Sequence, residues 1–360
     1  MNIGISARAF MVDEPGGAAQ TGIKLTRELA NQDEHIRLFG HKNVARQFPE
    51  IPVTSTGYIS DSLPYGPLWE QMVLPPIAKR KNIDLLFCPN TYCPIRNTEY
   101  EKVVVIHSLT SYHGFSPGLY ACFRRFAVPR AVEAADAVIA VSEYMREEII
   151  DRLNTSREKT HVVHNGIDHI YLDDTPSTSV DCLPEEYLLY VGALSENKNV
   201  DGILAAYQRL KEEYGIEQKL VLVGSTSNPT IETISESDLG SDVVLPGYIN
   251  DERRLKYTYE NASVFLFPSH YESFGMPPLE AMACGTPVVA TDRTAVPEIC
   301  DGAAHLIDPD RPDLIAKGVN RVLTDDEYAA KLVERGHERA QQFTWKASAD
   351  ALADVFEEVV

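Results

Sequence analysis

Along the chain, short apolar and β-branched runs alternate with longer stretches whose hydrophobic residues recur at helical spacing. A parallel strand covered on both faces reads as an unbroken apolar run, whereas a surface helix shows a stripe. Strands are predicted at Asn2–Ser6, Ile36–Gly40, Leu85–Cys88, Val103–Ile106, Ala137–Val141 and His161–His164. A second series follows at Tyr187–Val191, Lys219–Val223, Val243–Leu245, Val264–Phe267, Pro287–Ala290 and His305–Ile307. Helices are predicted at Gly22–Asn31, Leu119–Ala134 and Glu143–Leu153, then at Val200–Tyr214, Glu252–Glu260, Pro278–Cys284 and Pro312–Leu323. Such alternation builds parallel sheets through right-handed crossovers. The expected class is α/β, with two Rossmann-like, doubly wound parallel-sheet domains.

Between the two series lies Asp173–Pro184, rich in Pro, Ser, Thr and Asp, which is linker chemistry. The expected division is therefore residues 1–172, a linker at 173–184, and a second domain at 185–344. The last segment, 345–360, places Ala349, Leu352, Ala353, Phe356 and Val359 at helical spacing and is expected to pack back on the first domain. A length of 360 residues agrees with two domains at about 150 residues each. Paired doubly wound domains are expected to face each other across a cleft, with the carboxyl ends of their strands as binding edges.

Charge alters this picture more than composition does. With 44% hydrophobic, 9% aromatic and 24% charged residues the chain is ordinary globular protein. Lys and Arg number 33 against 53 Asp and Glu, a net of −20, which argues against nucleic acid as a partner. Residues 1–172 hold 18 basic and 19 acidic residues, so nearly all the excess negative charge falls in the second half. The stretch Lys102–Val132 contains no acid at all, yet carries Lys102, Arg124, Arg125 and Arg130. Buried strand and helix account for such a gap; the other reading is a face that meets anionic lipid or a phosphorylated acceptor. No apolar run approaches the roughly 18 residues a bilayer span needs. The chain opens directly into Ile3-Gly4-Ile5 with no basic stretch before it, so no signal peptide and a cytoplasmic location are expected. The six cysteines form no CxxC pair and are expected to be buried free thiols.

The chemistry concentrates in Ser269–Pro287. No GxGxxG or GxxxxGK[ST] fingerprint occurs anywhere. Here instead a predicted strand runs into a loop holding Glu272, Ser273, Phe274 and Gly275, then into a helix led by Pro278. Backbone amides at such a helix start point toward an incoming anion, and glycine lets a ligand come close. Glu280 lies about one turn in, where a carboxylate accepts two hydrogen bonds from a vicinal diol such as a ribose. Taken singly, Glu272 and Glu280 read more simply as a solvated loop acid and a partner of the helix dipole.

Taken together, Glu272–Glu280 resembles the E-x7-E element of retaining nucleotide-sugar glycosyltransferases of the GT-B fold, family four. Val163-His164-Asn165-Gly166-Ile167-Asp168 is similar to that family's segment before the interdomain linker, and Tyr190–Leu194 with Lys198 to the segment opening its second domain. The resemblance implies transfer of a hexose from a nucleoside-diphosphate sugar to a sugar or lipid-linked hydroxyl acceptor, with retention and with no metal or other cofactor. It implies catalytic roles for His107 and Glu272. It implies donor contacts at Gly16, Gly17, Lys198, Ser273, Phe274, Gly275, Leu279 and Glu280, with Lys198 on the diphosphate and Glu280 on the ribose. The acceptor is expected in the first domain near Gly114–Arg130, with Arg124, Arg125 and Arg130 as a face toward acceptor or membrane. The chain departs from the family where Ala193 and Asn197 stand in place of a clamp arginine, leaving Arg8 as one substitute, and where Ser108 replaces an aspartate after the histidine. A UDP-N-acetylhexosamine 2-epimerase and a sugar-nucleotide binder without activity are the competing readings.

Overall fold

In the computed structural model, residues 1–11, 17–32, 35–55, 65–115, 118–224 and 239–360 are described. The chain divides into two units, one of Met1–Gly166 with Trp345–Val360 and the other of Ile167–Thr344.

The first unit is built on seven parallel strands: β1 (Asn2–Ser6), β2 (His35–Gly40), β3 (Val53–Ser55), β4 (Leu85–Cys88), β5 (Glu101–Ile106), β6 (Ala137–Ala140) and β7 (Thr160–Val162). Their order across the sheet is β3-β2-β1-β4-β5-β6-β7, so the winding direction reverses between β1 and β4. Central strands such as Leu85–Cys88 and Ala137–Ala140 are wholly buried, as helices cover both faces. The helix Trp345–Val359 belongs to this unit: the Phe356 ring meets Phe87 edge-on at 5.4 Å, and Ser348 Oγ donates to the His164 carbonyl at 2.7 Å. Both tryptophans, Trp69 and Trp345, are buried here.

The second unit carries β8 (Tyr187–Val191), β9 (Lys219–Val223), β10 (Val243–Gly247), β11 (Val264–Phe267), β12 (Val288–Thr291) and β13 (His305–Ile307), ordered β10-β9-β8-β11-β12-β13. Its reversal falls between β8 and β11. The helix Val200–Arg209 widens into a single π turn at Leu210–Tyr214, ended by Gly215.

The division falls after Gly166, not within Asp173–Pro184. That stretch is held to the second unit by Lys256, a buried lysine whose Nζ donates to the carbonyls of Asp173 (2.7 Å) and Thr175 (3.0 Å). Composition marks the segment as polar but carries no sign of that distant anchor. All six cysteines are free; Cys88, Cys93 and Cys300 are buried, but Cys122 and Cys182 are exposed, the first on the outer face of its helix and the second in the polar stretch. Among the described residues no helix is long and apolar enough to cross a membrane.

Candidate active site

In an open parallel sheet the loops leaving the carboxyl ends of the two strands at the reversal diverge and leave a crevice. In the second unit these are the loops after β8 and β11, and they bring Lys198 to Glu272. Lys198 Nζ donates to Glu272 Oε1 at 2.6 Å, and the ammonium stands 5.8 Å from the Phe267 ring centre. The pair joins positions 74 residues apart and is only partly shielded, with side chains 21% and 11% exposed.

The loops are tied to each other by Asn199. In the left-handed region at φ 58°, it caps the helix Val200–Arg209 by accepting from Gly202 N at 3.1 Å. Its amide donates to the carbonyls of Pro268 (3.1 Å), directly after β11, and Pro309 (2.7 Å). One buried side chain thus fixes the backbone next to Lys198 against the loop that carries Glu272. Tyr190, pushed well above the usual phenol range by burial and by Glu272, stays protonated and donates to the Ala193 carbonyl at 2.8 Å. Beneath this loop the backbones of β8 and β9 nearly touch: a Cβ added at Gly224 would stand 2.0 Å from the Gly192 carbonyl oxygen, so only glycine fits.

Glu272 itself is set by Thr294, whose Oγ accepts from the Glu272 amide at 3.1 Å, while the Glu272 carbonyl accepts from Ala295 N at 3.3 Å. Next comes Gly275 at φ 113°, a conformation that favours glycine, opening the helix Met276–Ala283 with no side-chain cap. Pro277 and Pro278 lack N–H groups, so two of the first-turn donors are missing. The tip presents the amides of Gly275 and Met276 instead. Ser273 is half-buried, Phe274 packs edge-on against Phe343 at 5.8 Å, and the Leu279 side chain is fully buried. Leu279 is therefore a core residue of this helix, able to meet a ligand only through its backbone. Glu280 Oε2 accepts from the Tyr259 hydroxyl at 2.7 Å. Tyr259 is buried, and its phenol is held well above its ordinary range by burial and the Glu280 charge.

The remaining candidates lie in the first unit. His107 follows β5 and donates from Nε2 to the Pro89 carbonyl at 2.6 Å in the tautomer that satisfies both, leaving Nδ1 as an acceptor. Burial, reinforced by the nearby Arg124 charge, lowers its pKa to about 4, so the ring is neutral at pH 7. Gly17 is the exposed first residue of the helix Gly17–Ala30, which begins five residues before the predicted start at Gly22; Gly16 lies outside the described residues. Arg8 is buried and bound to Glu70, with Nε 3.2 Å from the carboxylate, so its charge is already matched inside the first unit.

The basic window separates on inspection. Lys102 is buried and donates to the Arg96 carbonyl at 3.2 Å. Arg124 and Arg125 donate to the carbonyls of Ser108 (2.8 Å) and Ser111 (2.7 Å), tying their helix to the segment after β5. Arg130 is exposed and lies 3.6 Å from the centre of the Phe126 ring. Residues missed by sequence reasoning are Asn199, Tyr259, Thr294 and Glu70; only Asn199, preceding a helix with Gly202 three residues on, carried a capping signal. Among the described residues no group of three or more His, Cys, Asp or Glu is placed to hold a metal ion.

Two parallel-sheet, Rossmann-like units with these reversals define a GT-B fold, and solved structures agree. Sucrose-phosphate synthase from Thermosynechococcus elongatus superposes with a TM-score of 0.74 at 23% identity, over 100% of this chain and 99% of that one. HepE from Anabaena, in complex with UDP and glucose, gives a TM-score of 0.74 at 20% identity, over 99% of this chain and 100% of that one. In sequence, residues 183–339 match the family described as Glycosyl transferases group 1, and residues 15–170 match Glycosyltransferase Family 4. O-antigen chain mannosyltransferase B of Escherichia coli is 29% identical over 280 residues, 72% of this chain and 70% of that protein. The chain belongs to the group 1, family 4 glycosyltransferases.

Proposed function

We propose that the chain transfers a hexose from a nucleoside-diphosphate sugar to a hydroxyl acceptor, with retention of anomeric configuration and without a metal ion, in the assembly of a glycan, glycolipid or cell-surface polysaccharide. The observation that carries this reading is the Lys198–Glu272 pair at the β8/β11 reversal, beside a helix tip without a side-chain cap. Two similar proteins support it: one is named an O-antigen chain mannosyltransferase, and the other was solved in complex with UDP and glucose.

The chemistry follows from charge. As the bond between anomeric carbon and leaving phosphate breaks, negative charge builds on the diphosphate. Lys198 is a mobile ammonium that exchanges its Glu272 partner for that charge, and the amides of Gly275 and Met276 add fixed donors. Glu272, released from the lysine, accepts hydrogen bonds from donor-sugar hydroxyls, and Glu280 accepts from the ribose while Tyr259 holds one of its oxygens. Neutral His107, in the first unit, keeps Nδ1 as an acceptor for a sugar hydroxyl. No carboxylate acts as covalent nucleophile in this scheme. The acceptor hydroxyl attacks the face the phosphate leaves, its proton passes to the departing phosphate oxygen, and configuration is kept.

The deciding experiment follows nucleoside diphosphate release from a panel of nucleotide sugars and acceptors, with the product anomer read by NMR. An anomer matching the donor, formed equally well with EDTA present, is expected. Glu280→Ala should weaken nucleotide binding by about 2 kcal/mol. An inverted product, a 2-epimerised sugar nucleotide, or binding without release would overturn the reading.

The helix Leu119–Ala134 favours a second feature of the same function. It exposes Leu119 (88%), Tyr120 (49%) and Phe126 (58%) beside Arg125 and Arg130, an apolar and basic face complementary to an anionic lipid surface. Flotation with vesicles rich in anionic lipid should be lost in Arg125→Glu/Arg130→Glu; unchanged flotation would sink the membrane-facing role.

A further inference from the structure

The first unit has a cavity of about 400 Å³ at the reversal of its own sheet, where the loops after β1 and β4 part. Its wall includes Arg8, Gly17 at the helix tip, Asn90 and Tyr92 after β4, and Tyr120 and Arg124 from the helix Leu119–Ala134. No acidic side chain lines it among the described residues. The Arg8 charge is matched by Glu70. Arg124 has no carboxylate partner among the described residues: one terminal nitrogen donates to Ser108, and its Nε is buried with no hydrogen bond. The Asn90 side-chain nitrogen is also buried with no hydrogen bond.

Folded proteins satisfy nearly all buried polar atoms, so each exception requires an explanation. The Tyr92 hydroxyl of the same wall is buried without a hydrogen bond too; the Arg124 and Asn90 nitrogens can only donate, and what they lack is an acceptor. The helix Gly17–Ala30 reinforces that sign, because its first turn carries no acid and its first three residues are Gly, Ala and Ala, small enough for a ligand to reach the backbone. The Tyr92 phenol is raised by burial, with the neighbouring Tyr120 adding, so it supplies no anion of the protein's own. A guanidinium, an amide and a helix tip approach from three separate elements. That arrangement suits a tetrahedral dianion with several oxygens better than a flat carboxylate, which a guanidinium alone can satisfy.

We propose that this cavity binds a phosphoryl group carried by the acceptor, with Arg124 and Asn90 as its specificity-determining residues. The assignment of the ligand as acceptor rests on the glycosyl-transfer reading; the affinity for phosphate does not. The phosphate belongs either to a soluble sugar phosphate or to a lipid phosphate, and the same donors serve both.

The test is isothermal titration of the full chain, without nucleotide sugar, against inorganic phosphate, a hexose 6-phosphate and its parent hexose, and a short-chain prenyl phosphate and its parent prenol. At least one phosphorylated organic ligand should bind tenfold or more tighter than its dephosphorylated form, and the tighter of the two names the source. Asn90→Ala should weaken that binding at least fivefold with an unchanged melting temperature; Arg124→Gln, which also loses the Ser108 tie, should weaken it at least fivefold at a temperature where the variant stays folded, and Arg124→Lys should recover part of it. In turnover, KM for the phosphorylated acceptor should rise in both variants while KM for the nucleotide sugar moves less than twofold. Equal affinity for phosphorylated and parent ligands, or a preference untouched by either variant, would overturn the proposal. Phosphate binding without diphosphate release on any acceptor would overturn the transfer reading instead and leave the cavity assignment standing.

Discussion

Each sheet carries a cation and a carboxylate paired at its reversal, and the two pairs are built for different ends. In the first unit Arg8 meets Glu70 with side chains 8% and 2% exposed. In the second, Lys198 meets Glu272 at 21% and 11%. Breaking a fully desolvated pair strands a charge in a medium that cannot solvate it, so such a pair is fixed once the chain folds. A pair that still touches water loses less when one member turns to a new partner, and an ammonium with three rotatable donors turns more readily than a planar guanidinium. Under the proposed function, similar side chains thus serve as scaffold where water is shut out and as ligand machinery where a little is let in.

The contrast breaks most visibly at the buried pair. Glu70→Gln removes the carboxylate facing Arg8 and should cost about 3–5 kcal/mol in urea unfolding, with the double variant Arg8→Met/Glu70→Leu recovering most of it. An unshifted midpoint in Glu70→Gln would place both pairs in the same class. Next in size, Lys198→Ala should lower kcat for diphosphate release by about 10²–10³, with a smaller loss of stability than Glu70→Gln. A large stability loss with kcat preserved would reverse the assignment of the two pairs. The smallest effect concerns His107. Its folded pKa of about 4 lies below the ordinary 6.5, so the unfolded chain binds the extra proton between those values. Its contribution to stability is therefore full above pH 6.5 and is lost as pH falls toward 4. Urea midpoints of wild type and His107→Asn should diverge over that window, and parallel curves would show that the ring is not held neutral.

How far these features can be read from sequence depends on how local their causes are. Buried strands such as Leu85–Cys88, Tyr187–Val191 and Val264–Phe267 appear at their predicted positions because burial on both faces leaves no polar interruption. The edge strand Val53–Ser55 escapes notice, being three half-exposed or exposed residues. Leu74–Arg80 looks broken by Pro75 and Pro76, yet both sit in its first turn, where proline is tolerated. Asp326–Ala340 buries Leu332, Gly336 and Ala340, a stripe too small to register as hydrophobic, and Gly336 lets the Met282 side chain of the Met276–Ala283 helix approach closely. In the site, the spacing of Glu272 and Glu280 is legible because one loop and one helix carry both. The partners Lys198 for Glu272 and Tyr259 for Glu280 are supplied by other elements, and no local pattern records which side chain folding will deliver.

The placement of the two tryptophans gives the chain an optical asymmetry. Trp69 shares its helix with Pro67, which lines the first-unit cavity, and Trp345 opens the terminal helix of that same unit. Tryptophan emission, excited selectively over tyrosine, therefore samples one half of the molecule. On the proposed phosphoryl assignment, a ligand entering the first-unit cavity should change that emission directly.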